Sequence, residues 1–248
     1  MKRILILTEY IPSATNRHGT FKRLGAFLNA LDSSYLLDFL FFVRPNTHAS
    51  NKELADLVTE VWGVNANTVT QAPMPTFNEE KDSLNTYLKP VFNAMRLPKY
   101  LRTSTLQQVN IIEECLEKLQ IDLVFAHRLS SMCPLLKVKT SIPPVVFDLD
   151  DIEHKVYCRA IKSPPVWLSK YLWYLHLPAL MLLEYKAIHL SNMTFVCSTK
   201  DVNYLSRVYL TDKVKMIPNC INIPEYFPMS DNELAILYLG VYDYKPNV

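Results

Sequence analysis

The chain has 248 residues, a formal net charge of +2, 49% hydrophobic residues and 20% charged residues. That is the composition of an ordinary folded protein, long enough for a sizeable core in one large domain or two small ones. The near-neutral balance and the lack of any Lys- or Arg-rich run speak against a nucleic-acid partner.

Five widely spaced cysteines, Cys115, Cys133, Cys158, Cys197 and Cys220, form no C-x-x-C pair. They fit a reducing compartment and argue against a disulfide framework or a zinc site. Only four glycines stand against sixteen prolines. Neither G-x-G-x-x-G nor G-x-x-x-x-G-K occurs. The apolar run Ile4 to Leu7 in "MKRILILTEY" is too short for a signal peptide and reads as a buried first strand.

In chain order, "RILILT" (3–8) is a strand covered on both faces. The loop "EYIPSATNRHG" leads into a helix, "TFKRLGAFLNAL", with Phe21, Leu24, Phe27, Leu28 and Leu31 at helical spacing. "SYLLDFLFFVR" (34–44) is a second buried strand. "NKELADLVTEVW" (51–62) is a helix with Asn51 as N-cap, and "NTVTQAP" is a weak third strand. Residues 73–103 predict short helices and loops. "STLQQVNIIEECLEKLQ" (104–120) is an amphipathic helix.

"IDLVFAH" (121–127) and "PPVVFDLD" (143–150) are strands, followed by helical stretches over 151–162 and 165–190. "MTFVCS", "TKDVNYLSRVY" and "KVKMIPN" complete the rhythm as strand, helix and strand. The alternation predicts an α/β, Rossmann-like, mainly parallel sheet flanked by helices. "CINIPEYFPMSDNE" (220–233) breaks the pattern, and "LAILYLGVYDYKPNV" begins a new strand. The expected organisation is one domain over 1–220, a linker over 221–233 and the first strand of a second domain over 234–248, with the rest of that domain missing.

Several stretches carry residues suited to chemistry. "VVFDLDDIEH" (145–154) runs an apolar strand into dense acid. Ligands of open α/β sheets bind beyond the carboxyl ends of the strands, which is where Asp148 and Asp150 fall. Asp150 or Asp151 can instead cap the next helix, and Asp151 and Glu153 read as cap and solvated acids. His154 reads as a helix-surface histidine. Gly19 either opens a helix whose free amides face a phosphate or simply permits a tight loop. Arg23, one turn in, also suits a surface ion pair. His127 and Arg128 end another strand at the same edge, and Asn219 shapes the segment leaving the domain.

"PPVWLSKYLWYLHLPALMLL" (164–183) carries one formal charge, Lys170. It reads first as a buried long helix, next as a membrane-surface helix and last as a membrane span.

Taken together, "IPSATNRHGTFKRLGAFLNAL", "VVFDLDDIEH" with Arg159, "LLEYKAIHLSNMTFVCSTKDVNYL", "VKMIPNCIN" and "ILYLGVYDYKPNV" resemble the N-terminal half of glycosyltransferase family 4-like enzymes of GT-B architecture. Three positions depart from the family pattern. His18-Gly19 replaces a glycine pair, an aspartate replaces the histidine that often ends the acidic-motif strand, and Cys220 replaces the glycine after "IPN".

The resemblance implies transfer of a sugar from a nucleotide-sugar donor to a glycan or lipid-linked acceptor in cell-surface polysaccharide biosynthesis. It implies Asp148 and Asp150 as catalytic candidates. Gly19, His18, Arg23, His127, Arg128 and Asn219 are the expected substrate-side residues. No metal and no cofactor are expected, and the location is the cytoplasm, with peripheral contact at the inner membrane face through 164–183. Most donor contacts of such enzymes lie in the C-terminal domain, so the chain alone is expected to be inactive. The alternatives are a non-catalytic acceptor-binding module or gene remnant, or a sugar-nucleotide epimerase of the same architecture.

Overall fold

The computed structural model describes residues 1–13, 19–45, 49–75, 97–98, 101–102, 104–166 and 168–219. Most of 73–103, and the expected linker and second-domain strand beyond residue 219, lie outside the described residues, as does His18.

Among the described residues, seven strands form one sheet: β1 (Lys2–Thr8), β2 (Tyr35–Val43), β3 (Ala66–Pro73), β4 (Leu123–His127), β5 (Val145–Asp150), β6 (Met193–Val196) and β7 (Val214–Met216). Their order is β3-β2-β1-β4-β5-β6-β7, and every neighbouring pair is parallel. The helices are α1 (Gly19–Asp32), α2 (Asn51–Trp62), α3 (Leu106–Leu119), α4 (Arg128–Leu135), α5 (Glu153–Lys162), α6 (Leu177–Leu190) and α7 (Thr199–Val208). This is the Rossmann-like α/β fold that the alternating pattern predicts.

The strand order reverses between β1 and β4. Right-handed crossovers therefore send α1 and α2 to one face of the sheet and the later helices to the other. The side chains divide accordingly, because neighbours along a strand point to opposite faces. Ile4 and Ile6 share a core with Phe21, Leu24, Leu28, Leu54, Val58 and Trp62. Leu5 and Leu7 share the other with Leu129, Met132, Tyr157, Leu180 and Leu205. Both faces are covered, which is why β1 reads as an unbroken apolar run and β2 as one broken at a single position.

The break in β2 is Asp38, fully buried. Arg3 donates to it through Nε and Nη2, each at 2.9 Å; Asn67 and Thr68 complete its shell at 2.8 and 2.7 Å. A buried carboxylate is tolerable only when paired in this way.

Local signals explain the helix ends. The N-cap of α2 is Ser50, one residue before the expected Asn51. Ser50 Oγ accepts from Glu53 N and Glu53 reaches back to Ser50 N, a complete capping box. The helix ends at Gly63 in the left-handed region, φ 70°. Gly25 in α1 allows a close approach, because a Cβ there would lie 2.9 Å from Trp62 Cδ1.

The stretch after β4, to which the sequence reading assigns no element, is a helix, α4, which "RLSSMCPL" hides through its internal proline and low amphipathicity. One expectation needs correction. The single buried helix over 165–190 is instead a 3₁₀ helix, Leu168–His176, followed by α6 with Pro178 in its first turn, where a missing N–H costs nothing. Part of that stretch is exposed rather than core.

Candidate functional site

The strand order reverses between β1 and β4, and open α/β sheets bind ligands in the crevice beyond the carboxyl ends of the strands at such a reversal. Thr8 ends β1, His127 ends β4 and Asp150 ends β5. Across the reversal, Thr8 Oγ1 lies 3.2 Å from His127 Nδ1 while accepting from Tyr10 N at 3.1 Å. The hydroxyl can donate to Nδ1 or accept from it, so the contact is compatible with either neutral tautomer of the ring.

His127 is fully buried, and Nε2 has no hydrogen-bond partner among the described residues. Burial, reinforced by the adjacent Arg128, pushes its pKa down to about 3. Its 3.8 Å approach to Asp148 Oδ2 is therefore a contact of a neutral ring, not an ion pair.

Asp148 is also fully buried, on β5. Arg23, at 2% exposure, grips it from α1: Nη2 donates to Oδ1 at 2.7 Å and Nε to Oδ1 and Oδ2 at 3.0 and 3.1 Å. Arg23 is therefore not the surface residue that one reading of the sequence allows. Burial raises the Asp148 pKa, and Arg23 opposes that rise. Arg23 Nη1 also donates to Ile217 O at 2.6 Å and Asn219 Oδ1 at 3.2 Å. One buried guanidinium thus joins the acid strand to the segment that follows β7.

Asp150 belongs to a second set. Its Oδ2 accepts from Arg128 Nη1 at 2.7 Å and Thr20 Oγ1 at 3.1 Å, and its Oδ1 lies 3.0 Å from Cys197 Sγ. Burial alone would raise its pKa, but the Cys197 thiol, Arg128 and Thr20 together bring it below the usual carboxylate value. Burial and the Asp150 carboxylate push the Cys197 thiol up to about 12, so it stays protonated and donates.

Arg128 and Asp150 both adopt left-handed backbone, φ 69° and 60°. Strain of that kind in residues with side chains is held only where surroundings over-determine it, and it gathers at functional positions.

Arg128 also lies 3.7 Å from Asp151 and 4.0 Å from Glu153. Neither acid caps α5: its N-cap is Ile152, with no side-chain cap bond. Glu153 is buried rather than solvated, and burial pushes its pKa up to about 7 although Arg128 resists. The sequence offered one signal for this, an acid at helical spacing with the apolar positions of α5.

His154 is likewise buried. Its Nδ1 meets Glu184 Oε2, its Nε2 lies 2.7 Å from Tyr204 OH, and Tyr209 OH donates to Glu184 at 2.7 Å. This network ties α5 to α6 and α7 and replaces the helix-surface role expected for His154.

Gly19 is exposed at the first turn of α1. A Cβ there would meet nothing within 4 Å, and its φ is not in the left-handed region. Neither space nor conformation requires glycine at this position, so a tight loop does not explain it. The α1 N-terminus is already complemented by an acid, since Thr20 donates to Asp150.

The charges do not balance: Asp148, Asp150, Asp151 and Glu153 surround two arginines, Arg23 and Arg128. No group of three His, Cys, Asp or Glu residues among the described residues is arranged to hold a metal ion. No described helix is long and apolar enough to cross a membrane.

No family model matches the chain, and no curated protein matches it in sequence. Among solved structures it is similar to a sucrose-phosphate synthase from Thermosynechococcus elongatus, with 13% identity over 88% of this chain and 48% of that one, at a TM-score of 0.48. It is also similar to the glycotransferase of kitacinnamycin (10% identity, 94% and 56% covered, TM-score 0.41) and to a calicheamicin glycosyltransferase (11%, 89% and 52%, TM-score 0.40). The chain spans about half the length of each of these three proteins.

Proposed function

We propose that the chain is the acceptor-binding side of a glycosyltransferase-like protein. It takes a hydroxyl-bearing glycan or lipid-linked saccharide and meets a nucleotide-sugar whose diphosphate is held elsewhere. The observation that carries this reading is the surplus of carboxylates around Arg128 at the strand ends, beside the reversal of strand order. Ionised carboxylates accept hydroxyl protons in hydrogen bonds and repel phosphate. The family-like motifs on the same strand ends, "VVFDLDDIEH" above all, support the same reading.

Within it, Asp150 stays ionised and orients the acceptor. Glu153 has a pKa near the operating pH and is the better proton acceptor for a hydroxyl. Asp148 acts through Arg23, holding the crevice wall and the exit segment together. A leaving diphosphate requires cationic or amide donors as its charge develops. This crevice offers too few, so residues 1–248 alone transfer no sugar.

The test is saturation-transfer NMR of the 248-residue chain with maltose, methyl glucoside and UDP-glucose as probes. A saccharide is expected to bind at least ten times more tightly than UDP-glucose, and Asp150→Asn and Glu153→Gln should each weaken it. UDP-glucose binding as tightly as any saccharide, or saccharide binding indifferent to both substitutions, would overturn the proposal.

A further inference from the structure

We infer that Glu184 is a positioning residue of the crevice: from α6 it sets the first turn of α5 and thereby fixes where Glu153 stands against Arg128. The N-cap of α5 is Ile152, whose apolar side chain cannot accept from the free amides of the first turn. Glu184 fills that place from another helix. Its Oε1 accepts from the His154 backbone N at 3.1 Å, an amide that an N-cap side chain would serve. Its Oε2 meets His154 Nδ1 and accepts from Tyr209 OH at 2.7 Å, so the carboxylate is gripped from α5 and from the end of α7. His154 Nε2 lies 2.7 Å from Tyr204 OH, which fixes the ring in turn. Glu184 is fully buried, and a carboxylate at this end of α5 also offsets the helix dipole.

Glu153 is the residue next to that amide, in the first turn of α5. It is buried, with its Oε1 4.0 Å from Arg128 Nη2. The titratable groups that face it are Arg128 and Cys133 on α4, Glu9 and Tyr10 after β1, Asp151 before α5, and Glu184 on α6. Burial is the main cause that raises Glu153 to about 7; Arg128 opposes the rise, and among the neighbouring acids Glu184 adds most to it. One side chain therefore both places the Glu153 carboxyl and keeps its proton affinity high. Being fully buried, Glu184 reaches no ligand itself and acts through Glu153. Where Glu153 takes the proton of a bound hydroxyl, Glu184 sets the pH at which it can do so. That consequence rests on the function proposed above; the placement of Glu153 does not.

The experiment is a carbon-13 NMR titration of the Glu153 carboxyl in the 248-residue chain, assigned by the loss of its signal in Glu153→Gln. The wild-type carboxyl is expected to titrate at about 7. Glu184→Gln keeps an oxygen for the His154 amide and removes the charge, and should lower that midpoint by about one pH unit. Glu184→Ala also removes the acceptor. Solvent exchange of the His154 amide should then quicken roughly tenfold, and the Glu153 midpoint should fall further, towards 4.5. Tyr204→Phe leaves both bonds between Glu184 and α5 in place, and its midpoint should stay within about 0.3 pH unit of the wild type. Should Glu184→Ala fail to fold, Glu184→Gln alone decides. An unchanged Glu153 midpoint in folded Glu184→Gln overturns the inference. So does an equal fall in Tyr204→Phe, which would assign the effect to the packing of α7. Saturation-transfer NMR with methyl glucoside runs beside the titration. A shifted Glu153 without saccharide binding sinks the proposed function and leaves Glu184 as the positioning residue; an unshifted Glu153 with saccharide binding intact does the opposite.

Discussion

Arg128 and Asp150 meet at 2.7 Å from the ends of two adjacent parallel strands, each with its backbone in the left-handed region. Continuing either strand would carry these side chains elsewhere. The turn at φ 69° on one strand and 60° on the next brings guanidinium and carboxylate together at the crevice. The pair thereby holds two local conformations that side-chain-bearing residues rarely adopt.

Removing the guanidinium leaves Asp150, Asp151 and Glu153 facing one another. Arg128→Met is expected to destabilise the protein by roughly 2–4 kcal/mol at pH 8. The loss should shrink at pH 5, where the carboxylates begin to take up protons and their repulsion falls. Urea unfolding at the two pH values measures the difference; an equal loss at both would mean that Arg128 acts by packing alone.

Arg23 and Asp148 give a cleaner case, being 2% and 0% exposed. Asp148→Ala strands a buried cation and Arg23→Met a buried anion, each expected to cost about 3–5 kcal/mol. The double variant removes both charges and should cost clearly less than the sum. Additive losses in a urea double-mutant cycle would show that the two residues stabilise the fold independently.

Two glycines of α1 should behave oppositely. Gly25→Ala drives a methyl to 2.9 Å from Trp62 Cδ1 and is expected to cost about 1–3 kcal/mol. Gly19→Ala meets open space and should leave stability within about 0.5 kcal/mol. If it nevertheless weakens ligand binding, the space above Gly19 serves the ligand; unchanged binding removes Gly19 from the site. Thermal unfolding and ligand titration of the two variants separate these outcomes.

How much of this was legible in the sequence depends on distance along the chain. The strands were visible because a parallel sheet covered on both faces demands continuous apolar runs, and "RILILT" and "SYLLDFLFFVR" supply them. The shared edge of the candidate residues was visible too, since acids ending one strand and His-Arg ending another fall on the same side of a parallel sheet. Pairing was not visible. Arg23 and Asp148 are 125 residues apart, and no local pattern shows that an arginine on an amphipathic helix points inward.

His154 and Glu153 were misread for the same reason. A charged residue at the start of a helix looks solvated until the packing of other helices around it is known; Glu184 lies 30 residues further on. For Gly19 the sequence leaves a phosphate-facing helix start and a tight loop equally open, and only the structure shows that neither space nor φ requires a glycine there.

The pH dependence of stability carries the most detailed expectation, because two buried groups oppose each other. Glu153 is raised from 4.5 to about 7, so the folded state holds a proton that the unfolded chain releases. Its contribution is complete below pH 4.5 and is lost as pH rises through 7. His127 is lowered from 6.5 to about 3, so the unfolded chain holds a proton that the folded state excludes. Its contribution is complete above pH 6.5 and is lost as pH falls towards 3. Between pH 4.5 and 6.5 the two slopes have opposite sign and similar size, and they cancel. Glu153→Gln is then expected to leave the His127 slope exposed, so that stability climbs by on the order of 1–3 kcal/mol from pH 4.5 to 6.5. His127→Gln should show the reverse, a fall over the same interval. Urea unfolding of the wild type and both variants at half-unit pH steps tests this directly. Parallel curves for all three would show that neither group titrates differently on folding, and the buried, neutral state assigned to His127 would be wrong.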